Sequence, residues 1–259
     1  MDQFRVGLSE REEKQVRALQ RRKEREAEGR FLAEGIRVVE DLLASPLRAE
    51  WAMLSSSLED NERGSWLVGE LERRAVPRRV VDPRLFGKLA PTEHSQGVIV
   101  VARTPPSGWD AIADDPAAVI LLLDAVQDPG NFGTMARTAE ALGAAGLVAL
   151  PGTVDPWNPK AIRAAAGSSF RLPIVSATWA EAAGWMRERG YRSLAAEVGG
   201  TPVRGGGGRV GLVVGNEGAG ISPEIRAGVD GTVGIPLRGR AESLNVAAAA
   251  AILLYELTR

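Results

Sequence analysis

The stretch AVILLLDAVQDPGNFGTMARTAEALG, Ala118–Gly143, decides the fold class. Its apolar run from Ala118 to Leu123 predicts a strand buried on both faces. Phe132, Met135, Ala136, Ala139 and Leu142 then recur at helical spacing and predict a helix with one apolar face. Asn131 is placed to cap that helix and Gly143 to stop it. A strand followed directly by such a helix is the opening of a parallel βαβ layer.

The pattern continues outward from there. Apolar strands are predicted at Gly146–Leu150, Leu172–Val175, Ser193–Ala196, Val210–Val214 and Thr232–Ile235, separated by helix-like stretches. This alternation implies an α/β fold with a parallel sheet covered on both faces. Ligands of such sheets bind beyond the carboxyl ends of the strands, so the chemistry is sought in the loops that follow them. RGGGGR, Arg204–Arg209, does not directly follow a strand and reads as a surface connection.

Three loops qualify. The first, after Leu123, carries Asn131 and, further along its helix, Arg137; on its own an arginine in such a helix reads as a solvated side chain. The second, GNEGAGISPEI at Gly215–Ile225, has three glycines that permit close backbone approach, then Ser222–Pro223 as a helix start. Glu217 stands between those glycines and would repel phosphate. The loop matches neither the dinucleotide fingerprint nor a triphosphate loop, and it suits a neutral or cationic ligand group or a hydroxyl donor. The third, GIPLRGRAESLNVAAAAAILLYEL at Gly234–Leu257, opens an apolar helix with Ser243 and Asn245, and its alanines Ala247–Ala251 let another backbone come near.

Upstream, Glu10–Arg30 is dominated by charge, including Arg17, Arg21, Arg22, Lys23, Arg25 and Arg30, with Val16 and Leu19 as sparse apolar points, and reads as a solvated helix. FLAEGIRVVEDLLAS follows, with Ile36, Val39, Leu42 and Leu43 at helical spacing. Strands are predicted at Trp51–Leu54, Arg79–Val81 and Gly97–Ala102, and a helix at Trp66–Arg74, together a small α/β unit. TPPSGWD, Thr104–Asp110, separates the two textures. The expected organisation is one domain over residues 1–103, a linker over 104–116 and a second domain over 117–259.

Composition narrows the chemistry. The 259 residues carry a formal net charge of −1, so contact with nucleic acid requires a local concentration of cations. No cysteine occurs and His94 is the sole histidine, which excludes disulfides, thiol nucleophiles and a histidine-based metal cluster. His94 and the six tryptophans read as structural. No apolar run approaches the ~18 residues of a membrane span, and a cytoplasmic protein with no membrane partner is expected.

Taken in order, NFGTMARTAEALG, VVGNEGAGIS and IPLRGRAESLNVAAAAAILLYE closely resemble the three motifs of the SpoU (TrmH-type) RNA ribose 2′-O-methyltransferases. ALQRRKEREAEGRFLAEGIRVVEDLL and HSQGVIVVA resemble the start and end of the ribosomal-protein-like substrate-binding domain that many members carry. The resemblance implies a C-terminal trefoil knot, S-adenosylmethionine as cofactor, structured RNA as substrate, and a homodimer whose site is completed by the partner's arginine. It places Asn131, Arg137, Glu217, Ser243 and Asn245 at the catalytic centre and Gly215, Ile235, Leu237 and Leu244 at the cofactor. Ala247 departs from the serine that many relatives have two residues after the third motif's asparagine. Ribosomal RNA of the 23S type is the favoured target and transfer RNA the alternative. Two rivals are weaker: a dinucleotide-dependent oxidoreductase lacks its GxGxxG, and a non-catalytic RNA-binding module would not need all five catalytic candidates.

Overall fold

The computed structural model describes residues 4–92, 95–106, 108–203, 205 and 207–259. The readings of His94 and of part of the RGGGGR connection lie outside the described residues. The chain divides into two compact units, Met1–Pro106 with Trp157–Phe170, and Ser107–Pro156 with Arg171–Arg259.

The first unit runs β1 (Phe4–Val6), α1 (Glu10–Ala18), α2 (Arg22–Glu28), β2 (Arg30–Glu34), α3 (Ile36–Ala44), β3 (Ala49–Ser55), α4 (Glu62–Arg73), β4 (Arg78–Val81), α5 (Pro83–Leu89) and β5 (Val98–Arg103). Its sheet has the order β1-β4-β3-β5-β2, with β1, β4 and β3 parallel and β5 antiparallel to both β3 and β2. Strand alternation sorts the core onto two faces. Phe31, Ala33, Leu54, Val98 and Val100 pack with α3, whereas Leu32, Met53, Ile99 and Val101 pack with Val16, Leu19, Phe86 and Leu89.

In this unit the structure corrects two expectations. The charged segment is two helices broken at Leu19–Arg21, and it is only partly solvated. Val16 and Leu19, three residues apart and so on one helical face, are fully buried, and Arg25 is buried with its guanidinium donating to the Leu19 carbonyl at 2.8 Å. In FLAEGIRVVEDLLAS the first residues form β2, and the helix begins only at Ile36, after Gly35 has turned the chain at φ +101°. Phe31–Glu34 is too short a strand for periodicity to separate from the helix that follows.

Ser9 and Glu12 form a reciprocal capping box at the start of α1. Burial raises the Glu12 pKa, but hydrogen bonds from Ser9 and Arg79 outweigh it and hold the carboxyl at about 2, below its ordinary 4.5. A depressed folded-state pKa stabilises above the unfolded value and loses that effect as pH falls through the folded one. Glu12→Gln is therefore expected to lower the unfolding midpoint at pH 7, the gap to the parent closing between about pH 4.5 and 2 in urea titrations. A gap that stays constant over that range would contradict this account.

The second unit comprises β6 (Val119–Leu123), α6 (Pro129–Ala141) and β7 (Gly146–Ala149), and, after α7 (Pro159–Ala165) has been contributed to the first unit, β8 (Ile174–Ser176), α8 (Trp179–Glu188), β9 (Arg192–Pro202), β10 (Val210–Val214), α9 (Pro223–Gly228), β11 (Gly231–Gly234) and α10 (Val246–Thr258). Its sheet has the order β11-β9-β10-β6-β7-β8, with every neighbouring pair parallel. From β6 the chain builds outward through β7 and β8, then crosses to the other side of β6 for β9 and β10. The order thus reverses between β6 and β10, and the loops following these two strands flank the switch point where open α/β sheets bind ligands.

Candidate active site

Asp128, not Asn131, caps α6: its carboxylate accepts from the Asn131 backbone N–H at 2.7 Å, and Pro129 occupies the first helical position. An Asp-Pro start suits a cap better because proline's missing N–H is no loss there. Asn131, two positions further in, keeps its side-chain amide free for other partners.

Those partners lie on the other two motif loops. The Asn131 amide donates to Glu217 Oε1 at 3.0 Å, and its oxygen accepts from the Asn245 amide at 3.1 Å. Asn245 in turn caps α10 through its own oxygen, bonded to Ala247 N at 2.9 Å and Ala248 N at 3.3 Å. Glu217 also accepts from the backbone N–H of Gln127 and Asp128 at the start of α6. Burial raises the Glu217 pKa, but the bonds from Asn131 and these amides dominate and hold it below the ordinary carboxylate value, so it is ionised at neutral pH.

The glycine loop is closed by its own backbone. Asn216 and Gly220 bond to each other in both directions at 3.0 and 2.9 Å, and a Cβ on Gly215 would lie 2.3 Å from the Gly220 carbonyl carbon. Asn216 and Asp124, neither singled out from the sequence, anchor this loop. Asn216 accepts from Gly218 N and Ala219 N at 2.9 Å and donates to the Ala125 carbonyl at 2.8 Å. Buried Asp124 accepts from Ser222 N at 2.6 Å. Their signal was present in sequence, as polar residues within two positions of the ends of two apolar strands, but short polar side chains at such places are usually turn formers.

A cavity of about 760 Å³ opens beside this network. Gly215, Ile235, Leu237, Leu244, Glu217, Ser243 and Asn245 all line it, together with Val214, Val246 and Leu253. Its volume falls in the range of small-molecule and cofactor sites. Apolar walls suit a planar base, and polar groups gather at Glu217 and Asn245. Ser243 is exposed and its side chain makes no hydrogen bond among the described residues. Asn131 does not line the cavity but braces two residues that do. Arg137 stands apart: it is exposed on α6, does not line the cavity, and its side chain has no hydrogen bond or ion pair among the described residues.

A parallel sheet with a cavity beyond the end of β10, walled by a glycine loop and set beside one amide network across three loops, has the architecture of a ligand-binding α/β enzyme. Residues 118–255 match the model of the SpoU rRNA methylase family, and residues 12–100 match that of an MRM3-like substrate-binding domain. The 23S rRNA (guanosine(2553)-2′-O)-methyltransferase RlmP of Bacillus subtilis is 35% identical over 94% of this chain and 94% of its own. A 23S rRNA (uridine(2479)-2′-O)-methyltransferase of Streptomyces viridochromogenes is 31% identical, over 92% of this chain and 85% of its own. Among solved structures, the SpoU methyltransferase AviRb from Streptomyces viridochromogenes in complex with AdoMet aligns with a TM-score of 0.85 at 28% identity, covering 97% of each chain. The AdoMet-bound rRNA methyltransferase of Sinorhizobium meliloti aligns at 0.84 and 28%, over 98% of this chain and 97% of its own.

The chain belongs to the SpoU rRNA methylase family. It is a methyltransferase, and its cofactor is S-adenosylmethionine.

Proposed function

We propose that this enzyme methylates a ribose 2′-hydroxyl in 23S ribosomal RNA. The observation that carries the reading is the bonded series Glu217–Asn131–Asn245 at the rim of the cavity, which joins all three motif loops. Two relatives over nearly the whole chain carry names of 23S enzymes, which favours that RNA over transfer RNA. The cavity is read as the cofactor site, with Gly215, Ile235, Leu237 and Leu244 cradling adenine and ribose. S-adenosylmethionine supplies a methyl group already activated on a sulfonium.

The protein's task is therefore alignment and charge. Glu217 and Asn131 hold the loops at the switch point in one geometry, and Asn245 ties the C-terminal helix to them. Ser243, at the cavity wall, is placed to meet the nucleotide or cofactor. A guanidinium is a poor proton acceptor, and the role of Arg137 is to grip the phosphate beside the acceptor ribose and to stabilise charge developing on the 2′-oxygen.

Arg137 serves the cavity of a second copy in this reading, the enzyme being a homodimer. Ile252 and Tyr255 are 42% and 53% exposed on α10, an apolar face that a second copy would cover. A trefoil knot is also inferred. The segment after β11 starts at the sheet edge beyond β9, yet α10 packs on β10, β6 and α6, so Ile235–Asn245 crosses the loops that follow β9 and β10. Among the described residues no helix is long and apolar enough to cross a membrane, and we place the enzyme in the cytoplasm with its RNA.

The first unit supplies the grip on RNA. Arg11, Lys14, Arg21 and Lys23 are exposed on and between α1 and α2, without ion pairs among the described residues, whereas Arg17 and Arg22 pair with Glu13 and Glu26. Replacing those four cations by alanine is expected to weaken binding of 23S fragments and to reduce the slope of log K against log[salt] by about 0.7–0.9 for each phosphate no longer neutralised. Affinity for S-adenosylhomocysteine should not move. An unaltered salt slope would remove this surface from the RNA site. Incubation of the enzyme with labelled cofactor and ribosomal RNA, followed by mapping of 2′-O-methyl positions, tests the whole reading; transfer to transfer RNA alone, or to a base, would overturn it.

A further inference from the structure

Of the residues lining the cavity, three are ionisable: Glu197, Glu217 and Arg226. Glu217 is committed to Asn131 and to the first turn of α6. The other two face each other, Arg226 Nε lying 2.7 Å from Glu197 Oε1, on the wall formed by β9 and α9.

Glu197 reaches this wall through an irregularity in β9. Thr232 of β11 pairs with Ala195, and the next residue, Val233, pairs with Thr201, so Ala196–Gly200 bow out of the ladder. The excursion returns tightly, since a Cβ on Gly200 would sit 2.5 Å from the Val233 carbonyl carbon. Bulges of this kind re-aim side chains next to binding sites. Here the result is a carboxylate whose Oε1 is buried and, although close to Arg226, receives no hydrogen bond of normal geometry. An ion pair of poor hydrogen-bond geometry leaves that oxygen able to accept a better-aligned donor.

We infer that Glu197 and Arg226 form the subsite for the amino-acid end of the cofactor, Glu197 accepting from the α-ammonium and Arg226 donating to the α-carboxylate. The inference rests on the reading of this cavity as the cofactor site. Among the described residues of one chain Arg226 is the one cation on a wall that is otherwise neutral or acidic, and it is the cation that a carboxylate meets on the β9 side of the cavity. Glu197 and Glu217 give the cavity a net charge of −1 after Arg226 is counted, which complements a ligand carrying a sulfonium, an ammonium and a carboxylate. In the free enzyme the pair neutralises itself, and an incoming zwitterion exchanges that one ion pair for two. Selection would follow against nucleosides that share the adenine and ribose but lack the charged tail, and this defines the specificity role of the pair.

Calorimetric titration of the full-length protein with S-adenosylhomocysteine and with 5′-methylthioadenosine, which lacks the amino-acid end, tests the assignment. Wild type should bind S-adenosylhomocysteine more tightly. Arg226→Ala and Glu197→Gln should each weaken it by about tenfold, the scale of one charge-assisted hydrogen bond, and leave 5′-methylthioadenosine within about twofold. Arg226→Lys should recover part of the loss, and thermal melting of each variant reports its folding. Equal losses for both ligands, or no loss for either, would overturn the subsite. Failure of the wild type to bind either ligand would instead overturn the cavity reading and the subsite with it.

Discussion

Arg137→Lys is expected to slow methyl transfer by about 100- to 1,000-fold, the cost of removing a donor aimed at developing charge. The dissociation constant for S-adenosylhomocysteine should stay as it is, because lysine keeps the charge and Arg137 neither lines its own chain's cavity nor bonds to the network that braces it. Lysine keeps the charge but loses the planar fork that holds a phosphate and a second oxygen at once. Single-turnover rates at saturating RNA measure the effect, and a rate within a few-fold of the parent would remove Arg137 from the active centre. A mixing experiment addresses the dimer. Arg137→Ala and Glu217→Ala proteins, each inactive alone, should on subunit exchange recover about a quarter of the parental rate if each site uses Arg137 from one copy and Glu217 from the other. No recovery would place both residues in one chain's site.

Arg163→Ala is expected to destabilise the first unit by about 2–4 kcal/mol. Glu34, at the end of β2, is 2% exposed and accepts from Arg163 Nη1 at 3.1 Å and from the Thr92 hydroxyl. Arg163 lies on α7, within the Trp157–Phe170 segment that the chain returns to this unit after β7. Removing the guanidinium strands a buried carboxylate; the cost sits toward the low end for a broken buried pair because Arg163 itself is 31% exposed. The same segment contributes Ile162 and Phe170 to the core, with Phe170 stacked and Trp157 tilted against Phe31. Gly167 is held against Asp41 at φ +79°, where a Cβ would meet the Asp41 side chain at 2.5 Å. Urea denaturation of the full chain measures the change, and Glu34→Gln added to Arg163→Ala should restore much of it by removing the charge. A loss below about 0.5 kcal/mol in the single variant would mean that Glu34 is solvated by other groups.

The parallel sheet was legible because its strands are buried on both faces and so are written as apolar runs, with Val119–Leu123 and Val210–Val214 the plainest. Strands such as Phe4–Val6 and Arg30–Glu34 were not, since three to five residues beside charged neighbours carry too little periodicity. Val16 and Leu19 were read as points on a solvated helix, because two apolar residues among charges become core only where a sheet face waits beneath them.

The sequence from Ala118 onward determined by itself the parallel α/β class, the three loops, and the residue types that a cationic or hydroxyl-bearing ligand requires. These are local properties: burial pattern, turn chemistry and charge are written in consecutive residues. Only the tertiary structure decided that Asp128 caps α6 and frees the Asn131 amide to join Glu217 and Asn245, which lie 86 and 114 residues further along the chain. It alone returned Trp157–Phe170 to the first unit, and it alone bowed β9 so that Glu197 meets Arg226 at the cavity wall. Such pairings depend on strand order and on where loops close in space, and hydrogen bonds between residues far apart in sequence leave no periodic trace in it.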